Sequence, residues 1–141
     1  MGDSVSQDPS PAGQGVDGTR WEIAFYEDIL ARNPDYVEVL SLLGNLYTGS
    51  KMYVQGLKVD ERLATLKQDD PIVHYNLACS YSLLKQPDRS FAALEKAVHL
   101  GYSDVEHMQN DSDLDAIRSD PRYQQVLDRM RSPERRSSAE S

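Results

Sequence analysis

The segments 40–49, LSLLGNLYTG, and 74–84, HYNLACSYSLL, decide the fold of this chain. Three residues of the first segment return 34 positions later, Leu43, Gly44 and Tyr47 corresponding to Leu77, Ala78 and Tyr81. Further apolar positions recur at the same displacement, Leu57, Leu63, Ala64 and Leu66 corresponding to Phe91, Ala97, Val98 and Leu100. A fixed period of this length predicts a stack of similar supersecondary units.

Each unit has the pattern of two amphipathic helices joined by a turn. Leu40, Leu43 and Tyr47 share one helical face, and Gly49-Ser50-Lys51 forms the turn before the second helix. The apolar residues of that second helix are Tyr53, Leu57, Leu63 and Leu66. The next pair of helices is predicted over 74–84 and 91–100. It is preceded by Asp70-Pro71, which suits an N-cap and a first helical residue, and is followed by Gly101, which suits a helix end.

A 34-residue helix–turn–helix with Leu-Gly/Ala-x-x-Tyr in its first helix resembles the tetratricopeptide repeat. In that register Val37–Asp70 and Pro71–Asp104 are two full repeats, and Thr19–Tyr36 is the second half of an earlier one. The resemblance implies an all-α fold, a short helical solenoid. Asp60 departs from it, since this position normally holds a large apolar side chain.

The repeat pattern stops after Ser103, and a final helix is predicted from Pro121 with Asp120 as its N-cap. A repeat array needs an atypical end to cover its last core face, so we expect this helix to be a cap. The stretch from Leu100 to Tyr123 resembles the ends of bacterial proteins of this family, which suggests a bacterial source.

Composition divides the chain into three parts and limits its functions. Residues 1–18 and 132–141 are poor in apolar side chains and are expected to be disordered tails around a helical domain over 19–131. The formal net charge of -8 disfavours nucleic-acid binding. No apolar run has the length of a membrane span, and the N-terminus lacks the features of a secretory signal. With Cys79 as the single cysteine, we expect a cytoplasmic protein.

Catalytic and metal-binding motifs do not emerge from the sequence. His74 and Cys79 are five residues apart on one helix, which places them about 140° apart around its axis. The series of aspartates at 111, 113 and 115 begins like a calcium loop, but Ala116 replaces the required glycine and Arg122 the closing glutamate. We therefore predict no catalytic residues, no metal and no cofactor, and we interpret these aspartates as helix caps.

The resemblance implies that a partner peptide or helix binds the concave face formed by the first helix of each repeat. Its register places Glu38, Ser41, Asn45 and Thr48 on that face, followed by Ile72, Tyr75, Asn76, Cys79 and Ser82. Asn45 and Asn76 match two asparagines that clamp a peptide carboxylate in some family members. Because Ser41 stands where such a clamp has a lysine, a carboxylate ligand is disfavoured. The predicted function is that of an adaptor or scaffold that binds another protein or peptide.

An alternative function depends on Trp21 and Phe25, which lie one helical turn apart and off the predicted packing face. They form either an exposed aromatic patch or a pair covered by the end of the domain or the N-terminal tail. The exposed arrangement would make the protein a self-associating assembly subunit, a weak homo-oligomer.

Overall fold

The computed structural model describes residues 18–132, and the predicted disordered tails lie almost wholly outside this range. The described chain is all-α, as predicted. Its helices are α1 (Thr19–Arg32), α2 (Val37–Gly49), α3 (Tyr53–Leu66), α4 (Pro71–Leu83), α5 (Pro87–His99), α6 (Val105–Asn110), a 3-10 helix (Ser112–Ile117) and α7 (Pro121–Arg131). No helix within residues 18–132 combines the length and the apolar character that crossing a membrane requires.

Successive helices pack against one another as a short solenoid: a half repeat (α1), two full repeats (α2–α3 and α4–α5) and a terminal cap. One contact shows the repetition directly. The Tyr47 hydroxyl of α2 donates a hydrogen bond to Glu27 of α1, and the Tyr81 hydroxyl of α4 donates to Glu61 of α3, at 3.1 Å. Both residues of each pair are displaced by 34, so α1 occupies the place of the second helix of a repeat.

Three helices end in the same hydrogen-bonded motif. Residues Met52, Gln86 and Tyr102 each donate from the backbone amide to the carbonyl five residues earlier, at 2.8, 2.9 and 2.9 Å. The residue before each has positive φ, which is 63° at Lys51, 60° at Lys85 and 114° at Gly101. This is the Schellman motif, which satisfies the last free carbonyls of a helix. It turns the chain back at the end of α2, α4 and α5.

The helix starts confirm two of the predicted caps. The Asp70 carboxylate accepts the backbone amide of Ile72 at 2.9 Å, and the Asp120 carboxylate accepts that of Arg122 at 2.9 Å. In each case a proline follows the capping aspartate, as the first helical residue. Each cap satisfies an amide that has no partner inside its helix.

The apolar core is divided into two clusters. The N-terminal cluster contains Ile23, Leu43 and Leu63 and lies among α1, α2 and α3. The C-terminal cluster is larger and extends from Ala78 and Leu94 to Val126 in α7. The two meet where α3 packs on α4.

Residues 105–131, here called the cap segment, cover the exposed end of the second repeat as predicted. Met108, Leu114 and Val126 have no solvent exposure. The 3-10 helix of this segment packs on α4, and α7 packs on α5. Arg118 fixes the segment internally by donating to the Asp111 carbonyl at 2.6 Å and to the Tyr123 hydroxyl at 2.7 Å. The core of the second repeat is therefore closed by side chains that do not follow the repeat pattern.

Candidate functional site

Part of the predicted concave face is open to solvent. Ser41 and Asn45 on α2 are exposed, and Thr48 is half-buried. On α4, Ile72 and Asn76 are exposed as well. These five predicted residues are accessible to a partner, as the repeat register required.

The expectation that Tyr75, Cys79 and Ser82 are open to solvent is wrong, because their exposed fractions are 3%, 6% and 0%. Tyr75 and Cys79 still border cavities described below, whereas Ser82 borders none of them. The three residues share one face of α4, the same face that Ser41, Asn45 and Thr48 occupy on α2, 34 residues earlier. The 3-10 helix of the cap segment lies against α4, so positions that are open in the first repeat are covered in the second.

Asp111 joins the cap segment to α4. Its Oδ2 accepts hydrogen bonds from the Tyr75 hydroxyl at 2.6 Å and the Cys79 thiol at 3.6 Å, and its Oδ1 accepts the Asp113 amide at 3.0 Å. The Tyr75 ring also stacks on Tyr102, with centroids 4.4 Å apart. Burial, reinforced by the Asp111 charge, raises the pKa of both the Tyr75 hydroxyl and the Cys79 thiol, so both remain protonated donors.

The same cluster contains a set of metal-ligand types, because donor atoms of Cys79, Asp111 and Asp113 lie within 4.8 Å of one another. Hydrogen bonds already engage both Asp111 oxygens, and the high pKa of the thiol disfavours the thiolate that a metal needs. Asp111 acts as the N-cap of the 3-10 helix, as predicted for the aspartates, and it also forms interhelical hydrogen bonds that were not predicted.

Three cavities border residues of the predicted concave face. The first, about 580 Å³, lies between α1 and α2 and is lined by residues that include Ile23, Met52 and Asn45. The third, about 390 Å³, lies beside the start of α4, with Ile72 and Asn76 in its wall. Between them is a small cavity of about 50 Å³, here called the polar pocket, which Asn45 and Asn76 both border. Each asparagine therefore lines two neighbouring cavities.

The polar pocket brings together four of the predicted site residues and four others. Its walls are Gly44, Asn45, Thr48, Asp60, Asn76, Cys79, Ser80 and Asp113. They come from α2, α3, α4 and the 3-10 helix, so the pocket exists only when the cap segment is in place. Ser41 is not among the residues that line the three cavities.

Asp60 is one of the four pocket residues that the predicted site did not include. It is 8% exposed, and its Oδ2 accepts the Ser80 hydroxyl at 2.5 Å. Burial raises the pKa of this carboxyl to about 6, although the Ser80 hydrogen bond opposes the shift. The signal in the sequence was an aspartate at a position that normally holds a large apolar side chain.

Trp21 and Phe25 have exposed fractions of 67% and 49%, so the aromatic pair is open to solvent on α1. Their rings stack, with centroids 5.4 Å apart and an interplanar angle of 6°. Of the two alternatives, the structure shows the exposed patch. The predicted tail cover involves residues that lie outside the described range.

No family model matches the chain. The chain is similar to a protein of Arabidopsis thaliana that is described as chloroplastic, with 33% identity over 60 residues. The match covers 43% of this chain and 18% of that protein, so the chain corresponds to less than a fifth of the relative's length.

Proposed function

We propose that the chain is a non-catalytic interaction module of the tetratricopeptide type, which binds a segment of another protein along its concave face. The observation that carries the proposal is the set of three cavities linked by Asn45 and Asn76. An extended segment can place successive side chains in successive cavities. The two exposed amides can form hydrogen bonds with its backbone.

The wall composition supports a peptide rather than a small-molecule ligand. Apolar contacts come from Ile23 and Met52 at one end and from the exposed Ile72 at the other. Polar groups lie between these ends, in the polar pocket. Apolar anchors separated by hydrogen-bonding groups suit a chain that alternates side chains and backbone amides.

A selection of displayed random peptides on the full chain tests the proposal. The blocked variant is Asn45→Arg with Asn76→Arg, because both side chains are exposed and the larger groups fill the groove without entering the core. Gln125→Arg, on the exposed surface of α7, is the control. We expect a shared peptide motif from the parent and the control but not from the blocked variant. Enrichment that the blocked variant retains, or none with the parent, would show the proposal to be wrong.

The exposed aromatic pair supports a second candidate function, self-association through α1. Two stacked rings on the surface of a half repeat offer an apolar patch that a second copy can cover. Replacing Trp21 and Phe25 with glutamate should abolish any concentration-dependent oligomer in sedimentation equilibrium. The charge-matched control replaces Ala24 and Ala31, both exposed on α1, with glutamate. A parent chain that stays monomeric at high concentration would exclude this function.

A further inference from the structure

The polar pocket contains a largely buried carboxylate, with one oxygen that accepts a hydrogen bond and another that keeps contact with solvent. Asp60 Oδ2 has the Ser80 hydroxyl as its donor. In the described part of the chain, Asp60 Oδ1 receives no hydrogen bond. This second oxygen points toward α2, where a Cβ built on Gly44 would lie 3.4 Å from it. Gly44 and Asp60 both line the polar pocket, so the free oxygen faces the cavity.

The surrounding groups accept hydrogen bonds and carry negative charge. Asp113 contributes a second carboxylate, and Asn45, Asn76 and Thr48 contribute amide and hydroxyl oxygens. Within residues 18–132, no lysine, arginine or histidine borders the pocket. A buried carboxylate without a cation is costly, because burial disfavours its charged form. The raised pKa of Asp60 reflects that cost. What the pocket lacks is a positively charged hydrogen-bond donor.

Size decides which cation fits. A cavity of about 50 Å³ accommodates an ammonium group with part of its carbon stem. A guanidinium group is planar and wider and presents its donors as a rigid fork, which needs more room than a cavity of about 50 Å³ offers. An ammonium group has three donors that rotate freely, and here it would meet two carboxylates, two amides and a hydroxyl.

We propose that the polar pocket binds the ammonium group of a lysine side chain from the partner segment. The inference rests on the proposed function, since the lysine enters from a chain that lies along the concave face. The flanking cavities then receive the residues on either side of it. Asp60, which departs from the repeat pattern, then provides the carboxylate that binds the lysine of the partner.

The first experiment uses n-butylammonium, which has the chemistry of a lysine side chain and needs no identified partner. The readouts are the NMR signals of the Asn45 and Asn76 side-chain amides. We expect saturable shifts with a dissociation constant in the millimolar range for the full chain, and none for Asp60→Asn. The control Asp69→Asn makes the same charge change at an exposed site outside the pocket and should behave as the parent.

Two further salts at equal ionic strength test whether the response needs N–H donors and whether a metal ion can replace the ammonium group. Tetramethylammonium has the same charge but no N–H donor and should produce no saturable shift. Magnesium chloride tests the pocket as a metal site. Saturation by magnesium but not by butylammonium, equal responses of the parent and Asp60→Asn, or no saturable response would overturn the proposal.

A peptide from the displayed selection separates this inference from the function on which it rests. Replacing its lysine with alanine or Nε-acetyl-lysine should weaken binding to the parent roughly 10- to 100-fold, and binding to Asp60→Asn far less. A peptide that binds in the groove without a lysine requirement would refute the inference and leave the proposed function standing. A butylammonium response without any peptide binding would refute the function and leave the ammonium site standing. A requirement for a free peptide N-terminus instead of lysine would also count against the inference.

Discussion

Replacing Asp60 with asparagine should stabilise the protein near neutral pH. The change removes the charge but keeps the shape and an oxygen that can accept the Ser80 hydroxyl. The parent must keep a carboxylate at a site where burial disfavours ionisation. The variant has no such charge to desolvate, and its new amide group lies at the polar pocket, which Asp113 and Asn76 also border.

The magnitude follows from the pKa of Asp60, which is about 6 in the folded chain against an ordinary value of 3.8. Between these values the folded state binds more protons than the unfolded state, so stability falls as pH rises through this window. Below both pKa values Asp60 is protonated in the folded and the unfolded state, so its burial no longer lowers the free energy of unfolding. A difference of about two pKa units corresponds to about 3 kcal/mol at most. The gain of the variant over the parent should therefore be near zero at about pH 4 and approach this limit above about pH 7.

Urea denaturation followed by circular dichroism at several pH values measures this difference. Other titrating groups affect both proteins alike. Subtracting the free energy of unfolding of the parent from that of the variant at each pH therefore isolates the contribution of Asp60. Asp69→Asn is the control for a charge change at an exposed position and should show little difference from the parent at any pH. A variant less stable than the parent near neutral pH, or a gain that does not change with pH, would refute the reasoning.

Three further predictions concern groups around the polar pocket. Tyr75→Phe removes the hydroxyl that donates to Asp111 at 2.6 Å and should lower the free energy of unfolding by about 1–3 kcal/mol in urea denaturation. Gly44→Val should destabilise by about 1–3 kcal/mol in the same assay, since even a Cβ there lies 3.2 Å from the Val59 side chain. Cys79, buried and with a raised pKa, should react with a thiol reagent on the order of 100-fold more slowly in the folded chain than in urea. Equal rates in the two states would show that the thiol is accessible.

The sequence predicted most of the fold because the information that sets the fold is local or periodic. The 34-residue displacement located both helices of each repeat, and aspartate–proline pairs marked the starts of α4 and α7. Pro71 was correctly expected as the first residue of α4, but the start of the following helix at 91 was late, since α5 begins at Pro87. The first turn of α5 is polar, and apolar periodicity cannot detect it.

The candidate site was predicted less well because it depends on contacts between distant segments. The register identified the face of α4 that carries Tyr75 and Cys79. It could not show that the cap segment covers that face, since this segment does not follow the repeat. The sequence showed that Asp60 departs from the apolar residue expected at its position. It could not show that Asp60 accepts a hydrogen bond from Ser80, which is 20 residues away on another helix. A periodic pattern identifies equivalent positions and gives no information about a neighbour that occurs once.

The meeting of α3 and α4 has a mechanical consequence. Here one apolar cluster gives way to the other, and the Asp60–Ser80 hydrogen bond crosses between the two helices. The polar pocket lies at this junction, and its walls come from α2, α3, α4 and the 3-10 helix. A group held in the pocket would contact all four elements at once and would fix the angle between the two repeats.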